Sequence, residues 1–353
     1  MNTKKTLRKE NELVQLLKRS IDPSISEIKI TPLAGDASNR TYFRVSYSAP
    51  STGSVIAMIL NKTDKAIVSE EITNISQGFT ELPFINIMRH LEKTGVGLPK
   101  LYYYSEKEGL LLLEDLGDKL LANLAEGASE EEKRQLYEKA VDTLIILQEK
   151  GSKNGEDCYS FRQTFSYDLF LWEFNHFLEY AIEKKHGSIP SKDRKTIEGY
   201  FSDISMRLSS EPRVFTHRDF HGWNLIVKNG EIKILDFQDA LMGPRHYDLA
   251  SLLLDRSTPE ILGAPLVQKL ISYYCQKSRL NISDFQEIFD LAGVQRCLKA
   301  AGRFEYIFQV KGNPAYRKYI PGTLKLVASI LYRHKELHGL LELLRRYAVE
   351  MKE

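Results

Sequence analysis

Cysteine is scarce in this chain: 353 residues carry three, Cys158, Cys275 and Cys297, odd in number and far apart. They fit neither a disulfide framework nor metal-ligand spacing, and because free cysteine is usually buried, all three read as packed thiols. Long apolar runs are missing; none approaches the eighteen or so residues that a membrane span requires. A signal core is missing too, since the basic opening MNTKKTLRKENELVQLL passes straight into an amphipathic pattern, which predicts a cytoplasmic chain. Charge of one sign is not in excess, with 49 Lys+Arg against 47 Asp+Glu and no long block of either. Neither nucleic acid nor a membrane surface is therefore implied as a partner. There is no internal repeat and no low-complexity linker. With 42% hydrophobic and 27% charged residues, the composition is that of a soluble globular protein. Its length predicts two lobes with a cleft available between them.

What the sequence does have is concentrated between Val214 and Asp248, VFTHRDFHGWNLIVKNGEIKILDFQDALMGPRHYD. His217-x-Asp219-x-x-x-x-Asn224 matches the H-x-D-x-x-x-x-N catalytic loop of kinases, and Asp236-Phe237 follows where a metal-binding aspartate is expected. Phosphoryl transfer needs divalent ions to neutralise triphosphate charge and a group to orient the attacking hydroxyl. Asn224 and Asp236 offer hard oxygen ligands of the kind magnesium prefers, and Asp219 would accept or orient the hydroxyl proton. Between them, Leu225 to Val227 and Ile232 to Leu235 flank Lys228-Asn229-Gly230-Glu231, a hairpin signal that folds Asn224 and Asp236 together. The plain alternative is an ordinary loop, since Asp and Asn favour caps and turns anyway. A chance H-x-D-x-x-x-x-N arises in on the order of one chain in a hundred of this length. The hairpin and the Asp-Phe at the right distance make chance rarer still.

Before this segment the periodicity predicts a helix over Glu10 to Ser20, then strands at Ile28 to Leu33 and Thr41 to Val45. The turn between those strands holds Gly35, Ala37, Ser38 and Asn39, small residues that let backbone N–H groups approach phosphate oxygens; taken alone it is a hairpin turn. The next strand, Ser54 to Leu60, has no lysine where protein kinases keep one for the phosphates, leaving Arg40, Arg44 and Lys62 as candidate cations. A helix at Leu82 to Leu91 stops at Thr94-Gly95, and two strands follow, the second fully apolar from Gly109 and therefore central. It ends in Glu114-Asp115-Leu116-Gly117. That stretch suits either a hinge whose backbone hydrogen-bonds an adenine or a plain strand end with a helix cap. From Leu120 the pattern is helical, with helices at Glu130 to Gln148, Phe165 to Lys184 and Ser191 to Leu208. The aromatic stripe that starts at Phe165 reads as core, with Asp168, Glu173 and His176 as polar members able to face a substrate. Asp248 stands near the start of a later helix, where a carboxylate is favoured and could brace the catalytic loop.

The order of elements resembles the aminoglycoside phosphotransferase and choline kinase superfamily. Within it, PLAGDASNRTYFRV, LLLEDLGD, HRDFHGWNL, LDFQDALMGPRHYDLASLL and QRCLKAAGRF look like the bacterial N-acetylmuramate/N-acetylglucosamine anomeric kinases. The resemblance implies an α+β, bilobal protein-kinase-like fold, with a small antiparallel-sheet lobe over 1–117 for nucleotide and a larger, mainly helical lobe over 118–353 for the catalytic loop and acceptor. It implies ATP and Mg2+ as cofactors, Asp219 as catalytic base, Asn224 and Asp236 as metal ligands, and nucleotide contacts at Gly35, Ala37, Ser38, Asn39, Glu114 and Leu116. The implied acceptor is an amino sugar, phosphorylated on its anomeric hydroxyl in cell-wall recycling. Asp168, Glu173, His221, Asp239, Arg296 and Arg303 are its candidate contacts. Two alternatives stand beside this: a sibling kinase for choline, an aminoglycoside or thiamine, and a nucleotide-binding pseudokinase scaffold. The sequence does not fix the oligomeric state.

Overall fold

The computed structural model describes residues 10–33, 41–49, 52–60 and 81–352. The described parts of Met1–Val68 and Leu98–Asp118 form one compact unit, and those of Ser69–Gly97 and Lys119–Glu353 another. The boundary after Asp118 lies one residue from the expected one. The helix over Pro83–Glu92 differs: it clusters with the larger unit, where Phe84 packs on Phe237 with ring centroids 4.8 Å apart.

The smaller unit opens with α1 (Glu10–Ser20) and continues as five strands, β1 (Glu27–Pro32), β2 (Thr41–Ser48), β3 (Thr52–Ile59), β4 (Leu101–Ser105) and β5 (Leu110–Glu114). They form one antiparallel sheet in the order β1-β2-β3-β5-β4, so the fully apolar strand is interior, as its composition predicts. Alternate residues Phe43, Val45, Val55, Ala57, Ile59, Leu110 and Leu112 line one face, and α1 covers them with Leu13, Leu16 and Leu17. The period of two in the strands and the helical spacing in α1 thus meet in one core.

In the larger unit, α2 (Pro83–Glu92) and α3 (Leu121–Glu126) precede α4 (Glu130–Gly151). A capping box starts α4, with Ser129 and Glu132 satisfying each other's backbone N–H. The aromatic stretch expected as one helix is broken. Ser166 caps α5 (Tyr167–Phe177), a π-helical stretch follows over Leu178–Glu183, and α6 (Lys184–His186) ends it. Phe170, Phe174 and Phe177 are fully buried, and Phe174 stacks on Phe201 of α7 (Ser191–Ser210) at 4.1 Å, so the stripe is core. The next strands are β6 (Arg213–Thr216), β7 (Leu225–Lys228), β8 (Glu231–Ile234) and β9 (Leu241–Pro244). Helices α8 (His246–Leu254), α9 (Thr258–Lys277), α10 (Ile282–Lys311), α11 (Ile320–Arg333) and α12 (His338–Tyr347) complete the unit. Among the described residues no helix is long and apolar enough to cross a membrane.

Two packing features position the site. The β6–β9 pairing, Arg213 opposite Pro244 through Thr216 opposite Leu241, closes the catalytic segment at its neck. The 30-residue α10 packs against α5, α8 and α11. It approaches the end of α5 at Gly302, where an added Cβ would lie 2.7 Å from the Phe177 Cα and 2.9 Å from its N. Backbone cannot yield there as a flexible side chain would. Gly302→Ala is therefore expected to cost about 1–3 kcal/mol of stability, the usual scale of overpacking, read as a lower denaturation midpoint in urea. An unchanged midpoint would show that the helices separate freely.

Candidate active site

The hairpin expected between Asn224 and Asp236 is present, with Leu225 opposite Ile234 and Lys228 opposite Glu231. Asn229 and Gly230 turn it with φ of 53° and 80°, the left-handed pair that a tight two-residue turn demands. One further bond, from the Leu235 N–H to the Asn224 carbonyl at 2.9 Å, extends the ladder and sets Asp236 beside Asn224. The Asn224 amide Nδ2 donates to the Asp219 carbonyl at 3.0 Å, which leaves Oδ1 as its outward donor atom. Gln238, buried, donates from Nε2 to Asp236 Oδ1 at 2.8 Å and to Asp239 Oδ2 at 3.1 Å, so it steadies both carboxylates.

Asp219 is aimed by its backbone neighbours. The buried Asp248 carboxylate, in the first turn of α8, accepts the N–H of His217 at 2.6 Å and of Arg218 at 3.0 Å. Between these bonds Arg218 takes a φ of 76°, a left-handed conformation that a non-glycine residue adopts only under outside constraint. His217 Nε2 lies 2.8 Å from the Leu235 carbonyl, which can only accept, so Nε2 carries the proton. The bare Nδ1 is then free to accept the Asp219 N–H at 3.3 Å. Behind the loop, Gly222 accepts the Ala122 N–H at 3.1 Å, and a Cβ at Gly222 would meet that nitrogen at 2.9 Å. The glycine of His221-Gly222-Trp223-Asn224 is there because backbone meets backbone.

Charge is arranged around the Asp219 carboxylate. Arg296 of α10, buried, reaches Asp219 Oδ1 at 3.3 Å and Asp255 Oδ1 at 3.0 Å, and its Nε reaches Ser251 Oγ at 3.3 Å. Burial pushes the Asp219 carboxyl up, but Lys299, Arg296, His221 and Arg218 outweigh it, and the group is held well below the ordinary carboxylate range. Burial also pushes Asp248 up to about 6 and His221 down to about 4. Beneath this layer lies Glu173, buried, which accepts from Arg218 at 3.3 Å and Gln295 at 2.7 Å and pairs with Lys299 at 3.4 Å.

Of the residues singled out in the sequence, Asp219, Asn224 and Asp236 are brought together. His221 and Arg296 stand beside Asp219, and Asp239 is linked to Asp236 through Gln238. Glu173 is engaged in holding Arg218 and Lys299. Arg303 lies over the Tyr306 ring at 4.8 Å, farther along α10. Asp168 is exposed in the first turn of α5 and bonds to none of the Asp219 group. A cavity of about 430 Å³ lined by Trp172, Asn175, His176, Glu179, Tyr180 and Tyr306 contains none of Asp219, Asn224 and Asp236.

In the smaller unit, the Glu114 N–H donates to the Lys100 carbonyl at 2.8 Å, and its carboxylate accepts the Lys100 N–H at 3.1 Å. Leu116 is buried and its backbone N–H and C=O have no protein partner among the described residues. Arg44 is not a free phosphate cation: it forks onto Asp115 at 2.6 and 3.0 Å and onto Asp118 at 2.9 and 2.8 Å, and Ser54 adds a hydroxyl to Asp115 at 2.7 Å. Opposite charge at that range outweighs a freely solvated role. Gly35, Ala37, Ser38, Asn39, Arg40 and Lys62 lie outside the described residues. Sequence reasoning passed over Gln238, Ser251, Asp255 and Gln295 as site residues; Gln238, Ser251 and Gln295 do lie within the quoted LDFQDALMGPRHYDLASLL and QRCLKAAGRF motifs, while Asp255 lies outside them and is tied to the site through Arg296 and Arg256.

No group of three or more His, Cys, Asp or Glu residues able to hold a metal occurs among the described residues. One carboxylate and one amide oxygen nevertheless suit magnesium, which keeps several waters and takes its other ligands from phosphate.

Comparison with known proteins agrees with this geometry. Residues 29–285 match the phosphotransferase enzyme family (APH). The chain is 31% identical over 328 residues to the N-acetylmuramate/N-acetylglucosamine kinase of Neisseria meningitidis serogroup B, covering 90% of each. It is 30% identical over 272 residues to that of Pseudomonas aeruginosa, covering 74% of this chain and 77% of the relative. In fold it resembles choline kinase from Cryptosporidium parvum (TM-score 0.64, 11% identity, 94% and 98% of the two chains). It also resembles an ADP-bound aminoglycoside phosphotransferase (TM-score 0.56, 17% identity, 91% and 99%). A family match over most of the chain, a protein-kinase-like fold and an anchored Asp219 loop lead to one conclusion: the chain belongs to the phosphotransferase enzyme family and transfers a phosphoryl group to a hydroxyl acceptor.

Proposed function

We propose that the chain phosphorylates the anomeric hydroxyl of an amino sugar, N-acetylmuramate or N-acetylglucosamine, at the expense of ATP, giving the sugar 1-phosphate for cell-wall recycling in the cytoplasm. The observation that carries the acceptor is 31% identity over 90% of a kinase named for those sugars. Magnesium, bound through Asn224 Oδ1 and Asp236, would neutralise the triphosphate charge. Leu116, whose backbone polar groups have no partner among the described residues, would receive the adenine, and the Gly35 to Asn39 turn the phosphates. Asp219 accepts a hydrogen bond from the acceptor hydroxyl and aims its oxygen at the γ-phosphorus. Because Lys299 and Arg296 hold Asp219 ionised far below neutral pH, its role is orientation more than proton storage. The new O–P bond forms as the bond to the ADP oxygen breaks, and the hydroxyl proton passes to solvent. Retention of Asp219 together with Asn224 and Asp236 favours turnover over a scaffold role, which needs neither a base nor both ligands.

The direct test incubates the protein with magnesium-ATP and separate acceptors, N-acetylmuramate, N-acetylglucosamine, glucose, choline and kanamycin, and identifies products by phosphorus NMR. An anomeric phosphate on the amino sugars alone is expected; product on choline or kanamycin instead would discard the recycling role. Asp219→Asn is expected to lower kcat by a factor of about 100 or more with nucleotide affinity nearly unchanged. Asp236→Ala is expected to abolish magnesium-dependent nucleotide binding, so titration calorimetry with and without magnesium separates the two roles.

Asp248 gives a pH signature. Its native value of about 6 lies above the ordinary 3.8, so its contribution to stability is full below about pH 3.8 and is lost as pH rises through about 6. Activity has the opposite sign, because only the carboxylate accepts both loop N–H groups well. kcat should fall below an apparent pKa near 6 in the wild type, and Asp248→Asn should be slower with that acid limb removed. Persistence of the same limb in Asp248→Asn would assign it to another group.

A further inference from the structure

Arg256 sits at the junction of α8 and α9 with a left-handed φ of 49°. Its guanidinium carbon lies 5.4 Å from the ring centroid of Trp223, 5.9 Å from Phe304, 5.3 Å from Tyr316 and 6.0 Å from Tyr319. Phe304 and Tyr316 are themselves stacked, 5.4 Å apart with planes 12° from parallel. Four rings therefore enclose a cation, an arrangement proteins otherwise use to bind a cationic ligand. Here the protein fills the cage with its own charge.

The cage borders the catalytic loop. Trp223 lies between Asp219 and Asn224 in the chain, and the buried His221 feels the charges of Asp219, Asp255, Arg256 and Arg296 together. The Arg256 side chain is only 12% exposed and its Nε is buried without a hydrogen bond. Asp255 Oδ2 stands 3.4 Å from Nε but accepts no hydrogen bond, and the other oxygen of Asp255 is taken by Arg296 at 3.0 Å. A packed arginine that served only as a structural spacer would be expected to satisfy its donors on protein. No hydrogen bond to the Arg256 guanidinium occurs among the described residues, and an arginine so placed beside the Asp219 loop suits a ligand that brings its own acceptors. A guanidinium fork fits a carboxylate in two parallel bonds. The enclosed positive charge also repels ammonium acceptors of the choline or aminoglycoside kind.

We infer that Arg256 is a specificity-determining residue of the acceptor site, and that the chain prefers an amino sugar bearing a carboxylate, such as the lactyl group of N-acetylmuramate, to the neutral N-acetylglucosamine. This rests on the amino-sugar reading above. The test compares kcat and KM for both sugars in the wild type, Arg256→Met and Arg256→Lys. The wild type is expected to show the higher kcat/KM with N-acetylmuramate. Arg256→Met should raise KM for that sugar by about ten- to a hundredfold, the worth of one charge-assisted pair. The loss for N-acetylglucosamine should be at least several-fold smaller. Arg256→Lys, which keeps the charge but not the fork, should fall between. Equal losses on both sugars, or an unchanged ratio, would overturn the assignment; where Arg256→Met does not fold, the same ratio measured on Arg256→Lys decides. Failure of the wild type to phosphorylate either sugar overturns the underlying reading instead, so the two failures are distinguishable.

Discussion

The site depends on one buried carboxylate. Asp248 accepts two consecutive backbone N–H groups, from His217 and Arg218, and without it both would be buried donors with no partner, each costing about 1–3 kcal/mol. The same pair of bonds holds Arg218 in its left-handed conformation, immediately before Asp219. Helix α8 supplies the favourable end of its dipole to the charge. Burial nevertheless works against ionisation. The fold thus gives up some stability to keep an anion where the loop needs one, the familiar tension between a stable and a working site.

Around that clamp, charges are arranged in layers. Glu173 holds Arg218 and Lys299 from below, Arg296 spans Asp219 and Asp255, and Gln238 ties the Asp236 and Asp239 carboxylates together. Each buried ion thereby has a counter-charge or a hydrogen bond within reach, as a low-dielectric interior requires. A carboxylate held well below the ordinary range suits the orienting role proposed for Asp219, in a reaction governed by positioning and electrostatics.

The features legible in the sequence are those whose cause is local. The Asn229-Gly230 turn and the strands β2 and β3 are each fixed within a few residues, and so is the spacing of Asp219, Asn224 and Asp236. Features set by distant partners were not legible. Arg44 reads as a candidate phosphate cation until Asp115 and Asp118, more than 70 positions later, fold onto it. Glu173 reads as a substrate contact until α10 brings Gln295 and Lys299 to it. The four-residue strands β6 and β9 are too short to announce themselves, and only their mutual pairing defines them. The aromatic stretch after Phe165 shows helical periodicity throughout, so its change to π-helix at Leu178 leaves no mark in the spacing of apolar residues.

The β6–β9 neck has an evolutionary corollary. The loop that carries Asp219 is cinched at its base by a ladder of backbone bonds, and the Asp248 carboxylate completes that hold from just beyond the neck. The side chains proposed to meet the acceptor come from α10 and from the α8–α9 junction, which enter from outside the neck. On that reading, substitutions along those helices would exchange one alcohol acceptor for another and leave the Asp219 loop in place.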